Sequence, residues 1–222
     1  MAKCRYIFFD VGNTLLFPNR ARVLTPLPAD QHPTLERWQA LERRTKREFD
    51  SGMTSGKKVD HGFWWMFHTH LLEELGAPDE KVRDILVANT QDSSNWDQIL
   101  PGTRDALERI RRGHATAVIS NADGRIEAVL RRSGIADCFA SITDSGIVGH
   151  EKPHAAIFQV ALRQMNADPA ESLYVGDVYS VDYVGARNAG MAAILFDVAG
   201  AYEGREFPRV ESLTELESWL AP

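Results

Sequence analysis

Cysteine is scarce in this chain: Cys4 and Cys138 are the only two in 222 residues. That excludes a disulfide framework and a thiolate metal site with recognisable ligand spacing. Cys4 opens an apolar run and Cys138 lies in the apolar stretch 135–139, so both are expected to be buried, reduced thiols. Long apolar runs are also missing. No stretch approaches the roughly 18 apolar residues of a membrane span, and no apolar core of signal-peptide length precedes residue 10. Nor is there an excess of positive charge. With Lys+Arg 25 against Asp+Glu 31, the formal charge is −6, and no basic patch marks a general nucleic-acid binder. The expectation is a cytoplasmic protein with neither membrane nor nucleic acid as a partner. Oligomeric state is not legible.

What is present describes an ordinary globular chain, 44% hydrophobic and 25% charged. Its length suits one α/β domain plus an elaboration, with enough core to need no covalent staples. Short apolar runs at 5–9, 115–119, 173–175 and 192–196, with a weaker one at 139–143, read as buried strands. Segments of helical period lie between and after them, at 103–112, 125–133, 155–165 and 181–189. That alternation implies βαβ units and an α/β fold with a doubly wound parallel sheet. Pro101-Gly102-Thr103 reads as a turn feeding an N-cap, and Ser212 with Glu215 as a capping box for a last helix ending near Leu220.

Residues 18–97 break the alternation. They hold three helix-like segments, 34–49, 60–75 and 79–90, and no convincing strand. In the middle one, Phe63, Trp64, Phe67, Leu71, Leu72 and Leu75 form a helical stripe, and Asp79 is placed to cap the third. The domain reading is therefore an α/β core of residues 1–17 plus 98–222, with an all-helical insertion at 18–97.

The chemistry-bearing residues sit where strands are expected to end. Asp10 closes the first run, and ligands of open parallel sheets bind beyond the carboxyl ends of strands. A carboxylate there can act as a nucleophile that splits a difficult hydrolysis into two steps; the plainer alternative is a carboxylate that caps turn amides. Gly12 and Asn13 suit a loop entering the left-handed region. Ser120 and Asn121 end the next core strand, where they either receive an anion or cap the following helix. Lys152 precedes Pro153, a preferred first helical residue, which would set its ammonium beside a helix N-terminus. Gly176-Asp177, with Asp182 five residues on, adds two acids facing Asp10. Three unpaired carboxylates together are costly, and a Mg²⁺ ion relieves the repulsion.

In the order Phe8-Phe9-Asp10-Val11-Gly12-Asn13-Thr14-Leu15, Val118-Ile119-Ser120-Asn121, Glu151-Lys152-Pro153 and Gly176-Asp177 with Asp182, these segments resemble the motifs of the haloacid dehalogenase superfamily. The resemblance covers nearly the whole chain and implies a Rossmann-like core with a mobile helical cap inserted after the first strand. It implies a Mg²⁺-dependent phosphatase of a small phosphorylated metabolite, working through an aspartyl-phosphate at Asp10. By the same resemblance, Asp10, Asp177 and the Gly12 carbonyl hold the metal and Asp182 supports it. Ser120, Asn121 and Lys152 bind the phosphoryl group, with Lys152 also catalytic.

One position departs from the family pattern. Where its phosphatases carry a second aspartate, the general acid/base, this chain has Gly12. General acid–base catalysis is worth roughly 10²–10⁴-fold. Three explanations stay open. A residue of the insertion replaces the acid, with Asp60, His61, His68 and His70 as candidates, one of the histidines lining the cleft. Alternatively, the leaving group needs no proton, as in an acyl phosphate. Or the protein is a non-phosphatase or inactive relative that binds a ligand or protein partner. The dehalogenase branch also lacks that acid but does not normally keep the pair Asp177 and Asp182. A Schiff-base role for Lys57 or Lys58, as in the family's phosphonate hydrolases, has nothing to single either out. Trp64 and Trp65 are expected in the insertion's core and its contact with the α/β domain. A phosphorylatable receiver domain is ruled out, because there the acidic pair comes first and here it comes last.

Overall fold

The computed structural model describes residues 4–54 and 62–221. Lys57, Lys58, Asp60 and His61 lie outside those residues. Strands β1 (Tyr6–Phe9), β4 (Ala115–Ser120), β5 (Ser141–Asp144), β6 (Ser172–Gly176), β7 (Ala192–Phe196) and β8 (Arg209–Val210) form one sheet in the order β5-β4-β1-β6-β7-β8. Every neighbouring pair is parallel. The chain builds outward from β1 through β4 to β5, then returns to β1's other side for β6, β7 and β8. This reversal makes the carboxyl end of β1 the switch point of a doubly wound sheet, where a crevice must open.

Both faces of the sheet are buried because side chains alternate along a strand. Ile7, Phe9, Val118, Leu173, Val175, Ile194 and Phe196 point into one apolar cluster. It is shared with helices α5 (Thr103–Ile110), α6 (Ile126–Arg132) and α10 (Leu213–Leu220). Phe8, Ala117, Ile119, Tyr174 and Ala193 point to the other, under α8 (Ala155–Gln164) and α9 (Val184–Asn188). Helix α7 (Ser145–Val148) follows β5 directly, started by Asp144 accepting from Gly146 N. The runs were apolar throughout because neither face meets water.

The insertion consists of α1 (Arg20–Val23), α2 (Leu35–Thr54), α3 (Gly62–Glu74) and α4 (Glu80–Gln91). They enclose their own apolar cluster, in which Trp38, Leu41, Phe67, Leu71 and Leu86 are buried. Asp79 caps α4 as expected, accepting from Lys81 N at 2.8 Å and Val82 N at 3.1 Å. The ends of the insertion are joined by a short antiparallel pair, β2 (Phe17–Pro18) with β3 (Trp96–Gln98). Two-residue pairing at a Pro leaves no alternating run to read, so this pair has no signature in the sequence.

Four local expectations need correction. Gly102, in the left-handed region at φ 79°, is the N-cap of α5, without a side-chain cap; Thr103 is already inside the helix. Pro153 does not open α8, which begins at Ala155 behind the His154 cap. Glu215 does not close a capping box on Ser212 N. Its carboxylate accepts from Glu211 N at 2.7 Å, while Ser212 Oγ accepts from Glu215 N. The 181–189 helix is split into a π-helical turn, Tyr179–Tyr183, and the short α9. Both cysteines are free, Cys138 buried and Cys4 half-buried. Among the described residues, no helix is long and apolar enough to cross a membrane.

Candidate active site

Asp10 is the first residue beyond β1, fixed by its N–H donating to Val175 O at 2.8 Å. The loop after it coils tightly, with Leu15 N and Leu16 N both donating to Val11 O at 2.9 Å. Asn13 takes the left-handed conformation at φ 52°, as its residue type allows. Gly12 does not adopt a positive φ. The constraint at position 12 is a neighbour: a Cβ there would lie 3.3 Å from Cζ3 of Trp96, so a side chain needs the ring to give by a few tenths of an ångström. The Trp96 ring is anchored by Nε1 donating to Thr90 O at 2.7 Å. Thr14 Oγ1 donates to Asp10 Oδ2 at 3.4 Å.

Lys152 is buried and its ammonium is fully spoken for. Nζ donates to Asp10 Oδ1 at 2.6 Å, Asp182 Oδ1 at 2.7 Å and the Tyr174 hydroxyl at 2.7 Å. It lies among carboxylates, not beside a helix terminus. Burial alone would lower its pKa, but Asp10 and Asp182 raise it well above the ordinary lysine value. Asn121 holds this lysine's backbone with both ends of its carboxamide. Nδ2 donates to Lys152 O at 3.0 Å and Oδ1 accepts from Lys152 N at 2.7 Å. The Asn121 side chain thus positions Lys152. Ser120 is buried at the end of β4 and lines the cavity described below.

Asp182 has both oxygens engaged. Oδ1 meets Lys152 and Tyr174, and Oδ2 accepts from Asp177 N at 3.1 Å and Val178 N at 2.9 Å. Gly176 is required for this: a Cβ there would lie 2.5 Å from Asp182 Cγ. Asp182 thus shapes the loop that presents Asp177. Ligand atoms of Asp10, Asp177 and Asp182 fall within 4.8 Å of one another, all three residues buried. With Asp182 occupied, Asp10 and Asp177 are the carboxylates with capacity for a cation. Burial pushes the Asp10 carboxyl up to about 6, against the pull of Lys152. Burial likewise pushes Asp177 up to about 7, against Lys46. A buried acidic pair held at such a cost suits a divalent ion with oxygen ligands.

Lys46 was not foreseen. It lies on α2, buried, with Nζ 2.9 Å from Asp177 Oδ2 and 2.7 Å from Glu42 Oε1. Three further contacts hold the same helix face. Arg43 donates to Ala199 O at 2.9 Å and Arg47 to Ala201 O at 3.0 Å. Asp50 accepts from Ser180 N at 2.9 Å and from the Tyr202 hydroxyl at 2.8 Å. Positions 43, 46, 47 and 50 share one side of a helix. The sequence signal was a polar stripe, which reads equally well as a solvated face.

One cavity of about 600 Å³ joins these groups, between the strand ends and the insertion. Phe49, Met53, Phe63, Trp64, Trp96 and Ile126 supply its apolar wall. Beyond the three clustered aspartates, its described lining offers two carboxyls, Asp123 and Glu151. Burial would raise the Asp123 pKa, but hydrogen bonds from Arg125 and Ser93 hold it down at about 2, which disqualifies it as a proton donor. Glu151 is exposed at the rim. Neither His68 nor His70, the described candidates of the insertion, lines the cavity. His68 Nε2 pairs with Thr90 Oγ1 at 2.8 Å, and burial lowers its pKa to about 3. His70 pairs with Thr45 and Glu48. Trp64 packs between the insertion's cluster and the sheet's, while Trp65 lies under the Arg83 guanidinium at 4.7 Å.

Comparison with known proteins agrees with this geometry. The family model for haloacid dehalogenase-like hydrolases matches residues 4–190. The chain is 34% identical over 210 residues to human haloacid dehalogenase-like hydrolase domain-containing protein 3, covering 86% of this chain and 81% of that one. It is 35% identical over 208 residues to the glyceraldehyde 3-phosphate phosphatase of Pyrococcus furiosus, covering 88% and 82%. Among solved structures, the magnesium-bound HAD-hydrolase YfnB from Bacillus subtilis superposes with a TM-score of 0.71 at 19% identity, over 99% of this chain and 100% of that one.

Proposed function

This chain belongs to the haloacid dehalogenase-like hydrolases, and on that premise we propose that it is a Mg²⁺-dependent phosphohydrolase of small phosphorylated metabolites whose leaving groups depart without a proton. The observation that carries this reading is the pairing of two features in one cavity. Asp10 stands ion-paired to Lys152 beside Asp177, and position 12, packed against the Trp96 ring, carries no acid.

In this reading an Asp10 oxygen attacks phosphorus, the bond from phosphorus to the leaving oxygen breaks, and its electron pair departs with that oxygen. Lys152 keeps Asp10 ionised and meets the charge of the phosphoryl oxygens, with Ser120 as a hydroxyl donor to them. Water then attacks the aspartyl-phosphate, releasing phosphate and restoring Asp10. Asp10, Asp177 and the Gly12 carbonyl would hold Mg²⁺, which supplies charge neutralisation for the transferring group. No described acid serves the first step and no described base the second. The second step is accordingly slow and the phosphoenzyme accumulates. The helical insertion acts as the cap over this cavity.

The test is leaving-group dependence. Acetyl phosphate is expected to be turned over roughly 10²–10⁴-fold faster than an unactivated alkyl phosphate, because general acid catalysis has that worth. Comparable kcat/KM for the two would sink the reading.

The raised carboxyls also predict a pH effect on the metal-free protein. Asp10 and Asp177 bind protons more tightly folded than unfolded. Their contribution to stability is therefore greatest at low pH and is lost as pH rises from the ordinary carboxylate range near 4 towards about 7. Mg²⁺ should raise Tm more at pH 8 than at pH 5, since it binds the ionised form. Thermal melts with and without EDTA measure this. A Mg²⁺ increment that does not depend on pH counts against it.

A further inference from the structure

Lys46 is a buried ammonium that the proposed chemistry does not use, carried by the insertion and aimed at a candidate metal ligand. A buried charge persists only when it is paired, and its partners here are unequal. Glu42 is on the same helix one turn earlier, whereas Asp177 belongs to the sheet's edge. Burial alone would lower its pKa; the two carboxylates hold it well above the ordinary lysine value. The Lys46–Asp177 pair also coincides with the docking face of α2, between Arg43 on Ala199 and Asp50 on Ser180.

We propose that Lys46 is a tethered counter-ion that competes with a divalent cation for Asp177, so that cation binding and docking of α2 oppose one another. This rests on the reading of Asp10 and Asp177 as cation ligands. Lys46 is a positioning residue: it touches Asp177 and not the reacting atoms. The physical basis is charge counting. An ammonium 2.9 Å from one Asp177 oxygen lowers the negative potential that a divalent ion seeks. When the cation binds, Lys46 can retreat onto Glu42, weakening the contact between insertion and sheet. Coupling of this kind is reciprocal: whatever factor docking costs in cation affinity, the cation costs in docking.

The experiment is isothermal titration of the whole chain with Mg²⁺ alone, for the parent, Lys46→Met and Glu42→Gln. Lys46→Met keeps the side chain's length and removes its charge. It is expected to bind Mg²⁺ about tenfold more tightly or better. Glu42→Gln removes one of the two carboxylates in ion-pair contact with Lys46, tightening its hold on Asp177, and is expected to bind several-fold more weakly. A simple structural latch predicts the opposite for Lys46→Met, since losing it would let Asp177 drift and weaken the site. Lys46→Met binding no tighter than the parent overturns the proposal. So does Glu42→Gln binding equally or more tightly, an arm that serves if Lys46→Met fails to fold. A parent that binds no Mg²⁺ alongside a Lys46→Met that does supports it. If no protein of the set binds Mg²⁺, the metal reading itself fails, and this proposal with it.

Discussion

Asp10→Asn abolishes phosphate release from acetyl phosphate, with an expected loss on the order of 10⁴-fold or more, the scale of losing a covalent nucleophile. The change is nearly isosteric, and Lys152 keeps Asp182 and Tyr174 as partners. The fold should therefore survive, with Tm at pH 7 shifted by only a few degrees. Two readouts separate lost chemistry from lost structure. Acid-quenched parent protein retains phosphate covalently, because hydrolysis of the aspartyl-phosphate lacks a base; the variant retains none. If Asp10→Asn releases phosphate within tenfold of the parent, the nucleophile is elsewhere and the proposed function falls.

Replacing Lys152 by methionine has the largest expected effect on stability. Its ammonium separates Asp10 from Asp182, both nearly inaccessible to water. Removing one member of a buried charge network costs about 3–5 kcal/mol, because the partners are left uncompensated. For a chain of this size that is a Tm loss of roughly 6–20 °C. The sign of its pH dependence follows from which state takes up protons. Without Lys152, burial leaves Asp10 favouring its neutral form still more, so the folded variant binds a proton that the unfolded chain releases. Its deficit is then smaller at pH 5 than at pH 8. Arginine should rescue poorly, since a compact ammonium makes three contacts of 2.6–2.7 Å here and a planar guanidinium cannot reproduce them. Denaturant unfolding at both pH values measures the effect. An unchanged midpoint at pH 8 would show that the carboxylates do not depend on this lysine.

The candidate site was legible wherever it depended on position along a strand. Asp10, Ser120 and Asp177 could be placed because an apolar run ends one or no residues before each, and a doubly wound sheet gathers such ends. Asn13 could be read because a left-handed turn has few tolerant residue types. The reading set Lys152 beside a helix terminus, whereas its ammonium reaches Asp10, just past β1, and Asp182, in the π-helical turn. That the Asn121 carboxamide clasps the Lys152 backbone could not be read from the sequence. Gly12 was noticed as a missing acid, but the indole that crowds this position lies 84 positions later in the chain, and nothing in the local pattern joins them.

What the sequence by itself determined is the set of local choices: strands apolar on both faces, helices between them, a helical insertion after the first strand, and reactive residues at strand ends. Hydrophobic period and strand-end position are properties of neighbours along the chain, so they can be read without coordinates. What only the tertiary structure decided is which groups meet. Lys46 on Asp177, Trp96 against Gly12, Tyr174 beneath Lys152 and the burial of His68 and His70 each depend on how separate elements pack. A lysine on a polar helix stripe and a histidine on an apolar one carry the same local signature whether they face solvent, core or a buried aspartate. Packing alone selects among those, because burial and charge pairing act through space and not along the chain.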